Sequence, residues 1–261
     1  MNLIRTFVGL AAGMQLALSA EAAQCSAQSG PRTAVLVELY TSEGCDSCPP
    51  ADRWLSSLQA KGYTPDKVVP LSLHVDYWDY IGWKDPYAKR EFATRQRRQA
   101  ELKRAKIIYT PQVVLQGQDY RHWNSPAFAD TVARINSQAP KATLSLDVTA
   151  MGRSNVDVVV AARLLVEAER KASAVYVAAF ENKLTSQVAA GENKGKTLPH
   201  DFVVREWIGP IEFDADFKVT DRRTLPLLPK ADPKQSGVAA FVQNRSTGDV
   251  LQALMLPACG S

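Results

Sequence analysis

The stretch that most restricts the fold starts at residue 33. There T-A-V-L-V-E-L-Y, a compact apolar run rich in β-branched residues, passes through a polar turn into Cys45-Asp46-Ser47-Cys48-Pro49-Pro50. The run reads as a buried strand. The two prolines suit the first turn of a helix, where no backbone donor is missed. Trp54, Leu55 and Leu58 then share one face of a helix reaching to about residue 60. Two cysteines therefore fall where a strand gives way to a helix, beside unpaired amides and the positive end of a helix dipole. That setting favours a thiolate on Cys45. It predicts an exposed attacking sulfur at Cys45 and a sheltered resolving sulfur at Cys48, the arrangement needed for thiol–disulfide exchange. A permanent staple is a poorer use of this spacing, because so short a loop removes little unfolded-state entropy.

The elements that follow alternate. Residues 68–75 read as a second buried strand, residues 84–106 as a polar helix, and Y-T-P-Q-V-V-L-Q-G (109–117) as a turn feeding a third strand. Residues 125–137 supply a further helix, with Phe128, Val132 and Ile135 at helical spacing. This predicts a small α/β unit over residues 31–139. After Pro140 the texture changes to short apolar or alternating runs at 143–149, 156–163, 174–180, 202–207, 238–243 and 250–255, separated by Gly, Asn, Asp and Pro turns. These predict an all-β, sandwich-like unit over residues 142–261. A chain of 261 residues, 46% hydrophobic and 22% charged, is long enough to bury either arrangement without disulfide staples. Its net charge of +4 is too small to imply a nucleic-acid partner.

Arg5, an apolar run over residues 7–18 and the small residues around Ala22 read as a signal peptide spanning residues 1–22. The run is short for a transmembrane helix. Export to the periplasm or beyond follows, into an oxidising compartment where disulfides persist. Cys25 and Cys259 sit near the two ends of the mature chain, and their simplest joint reading is a disulfide tying those ends together.

The ordered set of strand, C-x-x-C at a helix start, second strand ending at Asp76, and Thr110-Pro111 leading into a third strand resembles thioredoxin-fold proteins. The longer pattern E-L-Y-T-S-E-G-C-D-S-C-P-P-A-D, H-V-D-Y-W-D-Y-I-G-W-K-D-P, Y-T-P-Q and G-E-N-K-G-K-T-L-P-H-D-F-V-V-R is similar to one group within them. It is a family of bacterial secreted thioredoxin-like proteins catalogued as a domain of unknown function. The resemblance implies an α/β thioredoxin-like domain followed by an all-β sandwich-like domain. It also implies a cis Pro111 facing the cysteines and helping to form a substrate groove with Thr110. Cys45, Cys48 and Pro111 would then act on protein or peptide thiols, with no organic or metal cofactor. Two departures stand out: Gly44 replaces the usual tryptophan, and Asp46-Ser47 replaces the usual Gly-Pro. Asp46 places a negative charge beside the thiolate and favours the disulfide, which predicts a potential nearer about −270 mV than about −120 mV.

Other chemistry is weighed beside this. Cys45, Cys48 and His74 form a candidate copper set, His74 lying at the end of the second strand, where an α/β sheet places its sites. With only His74, His122 and His200 present, no closed zinc site is available. A lone histidine is more often packed and hydrogen-bonded than a ligand. Tyr77, Trp78, Tyr80, Trp83 and Tyr87 read equally as a groove for an apolar peptide and as a satellite core. Residues 84–106 carry nine Lys or Arg against three Asp or Glu, which reads as a solvated helix face or as a contact for a membrane surface. Gly191 and Gly195 flank Asn193 in a turn suited to positive backbone angles, within the best candidate surface of the second half. A non-catalytic binding module on the same scaffold is a third reading.

Overall fold

The computed structural model describes residues 24–151, 155–226 and 233–257. The expected signal peptide, residues 1–22, lies outside the described residues, and so does Cys259 of the expected Cys25–Cys259 bond. The described chain opens with strands β1 (Gln24–Gln28) and β2 (Val35–Thr41), then helix α1 (Pro49–Ser56), β3 (Val68–His74) and helix α2 (Arg90–Leu102). Strands β4 (Gln112–Leu115) and β5 (Gln118–Asp119) and helix α3 (Ala127–Asn136) follow. From there the chain is strand: β6 (Ala142–Met151), β7 (Asn155–Leu164), β8 (Ser173–Glu181), β9 (Leu184–Gln187) and β10 (Thr197–His200). It ends in β11 (Val203–Glu212), β12 (Lys218–Pro226), β13 (Ser236–Asn244) and β14 (Val250–Pro257).

The runs of β-branched and aliphatic residues form the strands their composition predicts. Every residue of β2 and of β3 is buried, the pattern of strands covered on both faces. Their pairing is what the sequence hides. An eight-stranded sheet runs in the order β14-β13-β8-β11-β3-β2-β4-β5, with β2 and β3 parallel and β4 antiparallel to β2. The free edge of β3 is taken by β11, through the pair Val203↔Ser72 and a bond from the Ser72 amide to the Phe202 carbonyl at 2.8 Å.

This overturns the expected α/β thioredoxin-like domain followed by an all-β sandwich-like domain. Among the described residues 43% are strand and 20% helix, so the architecture is strand-dominated. Four strands of the largest sheet come from each side of residues 138–142. The physical reason is the edge: β3, buried throughout, needs a second backbone partner, and the residues that supply it lie about 130 positions further along the chain.

A second sheet, β1-β6-β7-β12, packs on one face of the C-terminal strands in the manner of a sandwich. The alternation along β8 shows the division. Val175 and Val177 enter the core shared with Leu144, Leu146, Val158 and Val160, whereas Tyr176 and Phe180 enter the core shared with Leu55, Phe92 and Phe128. Arg95 of α2 reaches into this second core. Its Nε donates to Oε1 of the buried Glu38 at 2.6 Å, and its guanidinium lies over the rings of Tyr176, Trp207 and Phe241 at 5.3, 4.6 and 5.1 Å. The basic stretch 84–106 is thus partly structural, and among the described residues no helix is long and apolar enough to cross a membrane.

Phe241 is 0% exposed and stacks on Tyr176 at 5.2 Å, so it carries the seam between α2 and the C-terminal strands. Phe241→Ala is predicted to destabilise the protein by about 3–5 kcal/mol, read as a lowered urea midpoint with little change in slope.

Candidate functional site

The short link between β2 and α1 sets the cysteine geometry. The amides of Ala51 and Asp52 donate to the Cys48 carbonyl at 2.9 and 3.1 Å, so Cys48 caps the helix while Pro49 and Pro50 occupy its first positions. The Cys45 amide bonds the Ser42 carbonyl and the Cys48 amide the Cys45 carbonyl, and this pair of turns brings the two Cα atoms to 5.5 Å. Cys45 and Cys48 form a disulfide. The Thr110–Pro111 peptide is cis, and its threonine touches both sulfurs. Thr110 Oγ1 lies 3.3 Å from Cys48 Sγ while donating to the Tyr40 carbonyl at 3.0 Å, and the Thr110 carbonyl oxygen lies 3.9 Å from Cys45 Sγ.

An exposed attacking sulfur was expected at Cys45, yet Cys45 is 1% exposed and Cys48 0%. Ser47 Oγ lies 3.3 Å from Cys45 Sγ, and the turn between β9 and β10 is bonded to the backbone on both sides of it. Nδ2 of Asn193 donates to the carbonyls of Glu43 and Cys45 at 2.9 and 2.8 Å, and Glu192 Oε2 accepts from the Asp46 amide at 2.9 Å. Only Asp46 and Ser47, between the cysteines, are exposed.

Behind the pair lies a buried polar network. The Glu43 carboxylate accepts from Trp83 Nε1 at 2.8 Å and pairs with His200 Nε2 at 3.0 Å. The Glu43 amide donates to Asp85 Oδ2 at 2.9 Å, and the same oxygen lies 2.7 Å from His74 Nδ1. Burial opposes charge on His74, but the Asp85 carboxylate outweighs it and holds the imidazole above its ordinary value. Burial likewise opposes ionisation of Asp85, but His74 and the Glu43 and Tyr87 amides hold it below the usual carboxylate range. Asp52, one helical turn after Cys48, is pushed up by burial, and Thr41 Oγ1 donates to it at 3.2 Å.

The structure thus gathers Cys45, Cys48, Thr110 and Pro111 and sorts the aromatic residues. The Trp78 carbonyl and Ile81 face Gly44, and Trp83 bonds Glu43. Tyr77 turns away, its hydroxyl donating to Gln96 Oε1 of α2 at 3.0 Å. His74 joins Asp85 and packs edge-on to His200 at 4.9 Å. Among the described residues no three His, Cys, Asp or Glu side chains are grouped to hold a metal ion, so the Cys45, Cys48 and His74 copper set is not assembled. Glu43 and Asp85 were not read as site residues, and Asn193 and His200 were read only as part of a candidate surface of the second half, residues 191–205, and not beside the cysteines. Their signal was present in part, since all four fall within the motif segments.

A strand-dominated protein with a covered disulfide at a helix start is the class that fold and site define. The chain belongs to the family described as protein of unknown function (DUF1223), which matches residues 36–243. It is similar to the solved structure of protein AGR_C_4864 from Agrobacterium tumefaciens at 27% identity and a TM-score of 0.63, covering 89% of this chain and 98% of that one. HBP35 of Porphyromonas gingivalis is similar in fold, with a TM-score of 0.63 at 15% identity, covering 89% of this chain and 77% of that one. No curated protein matches the chain.

The His74–Asp85 pair predicts a pH profile. The raised His74 value gives stability fully present below the ordinary imidazole value, about 6.5, and lost as pH rises through the folded-state value. The lowered Asp85 value gives stability present above the ordinary carboxylate value, about 3.9, and lost as pH falls through the folded-state value. Asp85→Asn is therefore predicted to cost about 3–5 kcal/mol near pH 6, by stranding a buried charge, and less at pH 9. Urea denaturation of both proteins across that range checks the narrowing gap.

Proposed function

We propose that the protein is an exported thiol–disulfide oxidoreductase that acts on protein or peptide thiols through Cys45 and Cys48. The observation that carries this reading is the disulfide at the amino terminus of α1 with both sulfurs in contact with the Thr110–Pro111 loop. A staple needs no such loop across it, and a loop of two intervening residues contributes little to stability. The helix start supplies free amides and a positive dipole end to the leaving or attacking sulfur.

The exchange balances without a cofactor. In the reduced protein the Cys45 thiolate attacks a client disulfide, forming a Cys45–client bond as one client sulfur leaves with the electron pair. Cys48 then attacks Cys45 Sγ, forming the Cys45–Cys48 disulfide and expelling the second client sulfur. The Cys48 proton ends on one client sulfur and solvent returns to the other the proton that Cys45 gave up on ionising, so overall the client gains two electrons and two protons and the dithiol loses them. The hydroxyl of Thr110 spends its own proton on Tyr40, which leaves its lone pairs to receive an S–H from reduced Cys48. That keeps the resolving sulfur protonated until it is needed.

Catalysis of peptide-disulfide reduction, with dithiothreitol as the electron source, tests the reading. The protein is predicted to raise the rate above background, and Cys45→Ser or Cys48→Ser to return it to background. Cys48→Ser should also accumulate a Cys45–client adduct visible as a mass increase. Background rates in the wild-type protein would defeat the proposal.

A further inference from the structure

Exchange at a disulfide requires a thiolate to approach one sulfur in line with the bond, and neither sulfur is open to that approach. Ser47 and Thr110 lie against the sulfurs, and the β9–β10 turn pins the backbone that carries Cys45. Asn193, 0% exposed, spends both protons of its side-chain amide on the carbonyls of Glu43 and Cys45, and its Oδ1 accepts from Lys196 Nζ at 2.8 Å. Beside it the Glu192 amide donates to the Gly44 carbonyl at 3.3 Å, and the Glu192 carboxylate accepts from the Asp46 amide. The turn is therefore bonded to four consecutive residues, 43–46, and makes these bonds with side chains and backbone alike.

Glycines on both sides let the two segments close. Gly191 has φ +75°, and a Cβ there would lie 3.1 Å from Ile81 Cδ1 and 3.4 Å from Trp83 Cβ. A Cβ on Gly44 would meet the same Ile81 Cδ1 at 3.2 Å. Gly195, at φ +83°, closes the far side of the turn with nothing against it. The base of the hairpin is held separately: His200 pairs with Glu43, and Ser186 Oγ donates to the Tyr87 hydroxyl at 3.3 Å. The tip can part from residues 43–46 between its two glycines while the base stays anchored.

We propose that residues 191–196 are a latch over Cys45, held by Asn193 and Glu192, and that the pair exchanges only when this latch lifts. The inference rests on the exchange reading of the pair, and it makes Asn193 the residue that sets how readily a client thiol is admitted. Bonds present only in the closed state slow exchange by lowering the open population, so removing them accelerates it.

The test is the rate at which dithiothreitol reduces the Cys45–Cys48 disulfide in the folded protein, followed by thiol quenching. Two electrons and two protons pass to the pair as the reagent closes to its cyclic disulfide. Asn193→Ala loses the two hydrogen bonds that hold the turn to residues 43 and 45 and is predicted to be reduced about tenfold faster than wild type. Gly191→Ala, which pushes the turn off Ile81 and Trp83, should also be faster. Glu192→Ala, at an exposed side chain, should be accelerated several-fold and serves if Asn193→Ala fails to fold. Unchanged or slower reduction in the folded variants overturns the latch, whatever the client assay shows. Accelerated reduction with no client catalysis upholds the latch and removes the oxidoreductase reading instead.

Discussion

Glu43 is 1% exposed, and its carboxylate, amide and carbonyl each hold a different part of the chain against the cysteine turn. The carboxylate takes Trp83 from the segment after β3 and His200 from β10; the amide takes Asp85, and through it His74; the carbonyl takes Asn193. A carboxylate removed from water is costly unless its lone pairs are filled, and here they are filled by groups from distant parts of the sequence. The requirement to satisfy this one group fixes where the 76–88 segment and the β9–β10 hairpin sit. Those two segments in turn pin the backbone of residues 43–46 that carries Cys45.

The large sheet makes the arrangement rigid. With β11 paired to β3, the hairpin that follows β8 leads into a strand only two places from β2, the strand that delivers the cysteines. The second half of the chain is thus part of the frame around the pair. The second sheet seals the outer face of β8, β13 and β14 and leaves the opposite face to α1, α2 and α3. Arg95, spanning Glu38 of β2 and three aromatic rings of the C-terminal strands, ties these layers through one side chain.

Much of this was legible locally. The apolar runs became β2, β3, β6, β7, β8, β11, β13 and β14, and the three helices fall inside their predicted stretches. Strands β9 and β10 were missed because four-residue segments such as T-L-P-H carry no usable alternation and one contains proline. Strand β12, K-V-T-D-R-R-T-L-P, lies at a sheet edge and so keeps a polar composition that masks its pairing with β7. The cysteine pair and Thr110-Pro111 could be read because their chemistry is written in adjacent residues. The closing of the β9–β10 turn onto residues 43–46 could not, since it depends on bonds spanning about 150 positions, and a Gly-Glu-Asn-Lys-Gly turn looks solvated until its partner is known.

The central claim, that Cys45 and Cys48 form an exchangeable pair, is tested most directly by equilibrating the protein in a graded series of thiol redox buffers. Equilibration must be long enough for a covered disulfide to respond, and the free thiols are then trapped. The account predicts one reversible two-electron transition, lost when either cysteine is Ser, with a midpoint nearer about −270 mV than about −120 mV. A pair that stays oxidised across the whole series, in a protein that remains folded, would contradict it.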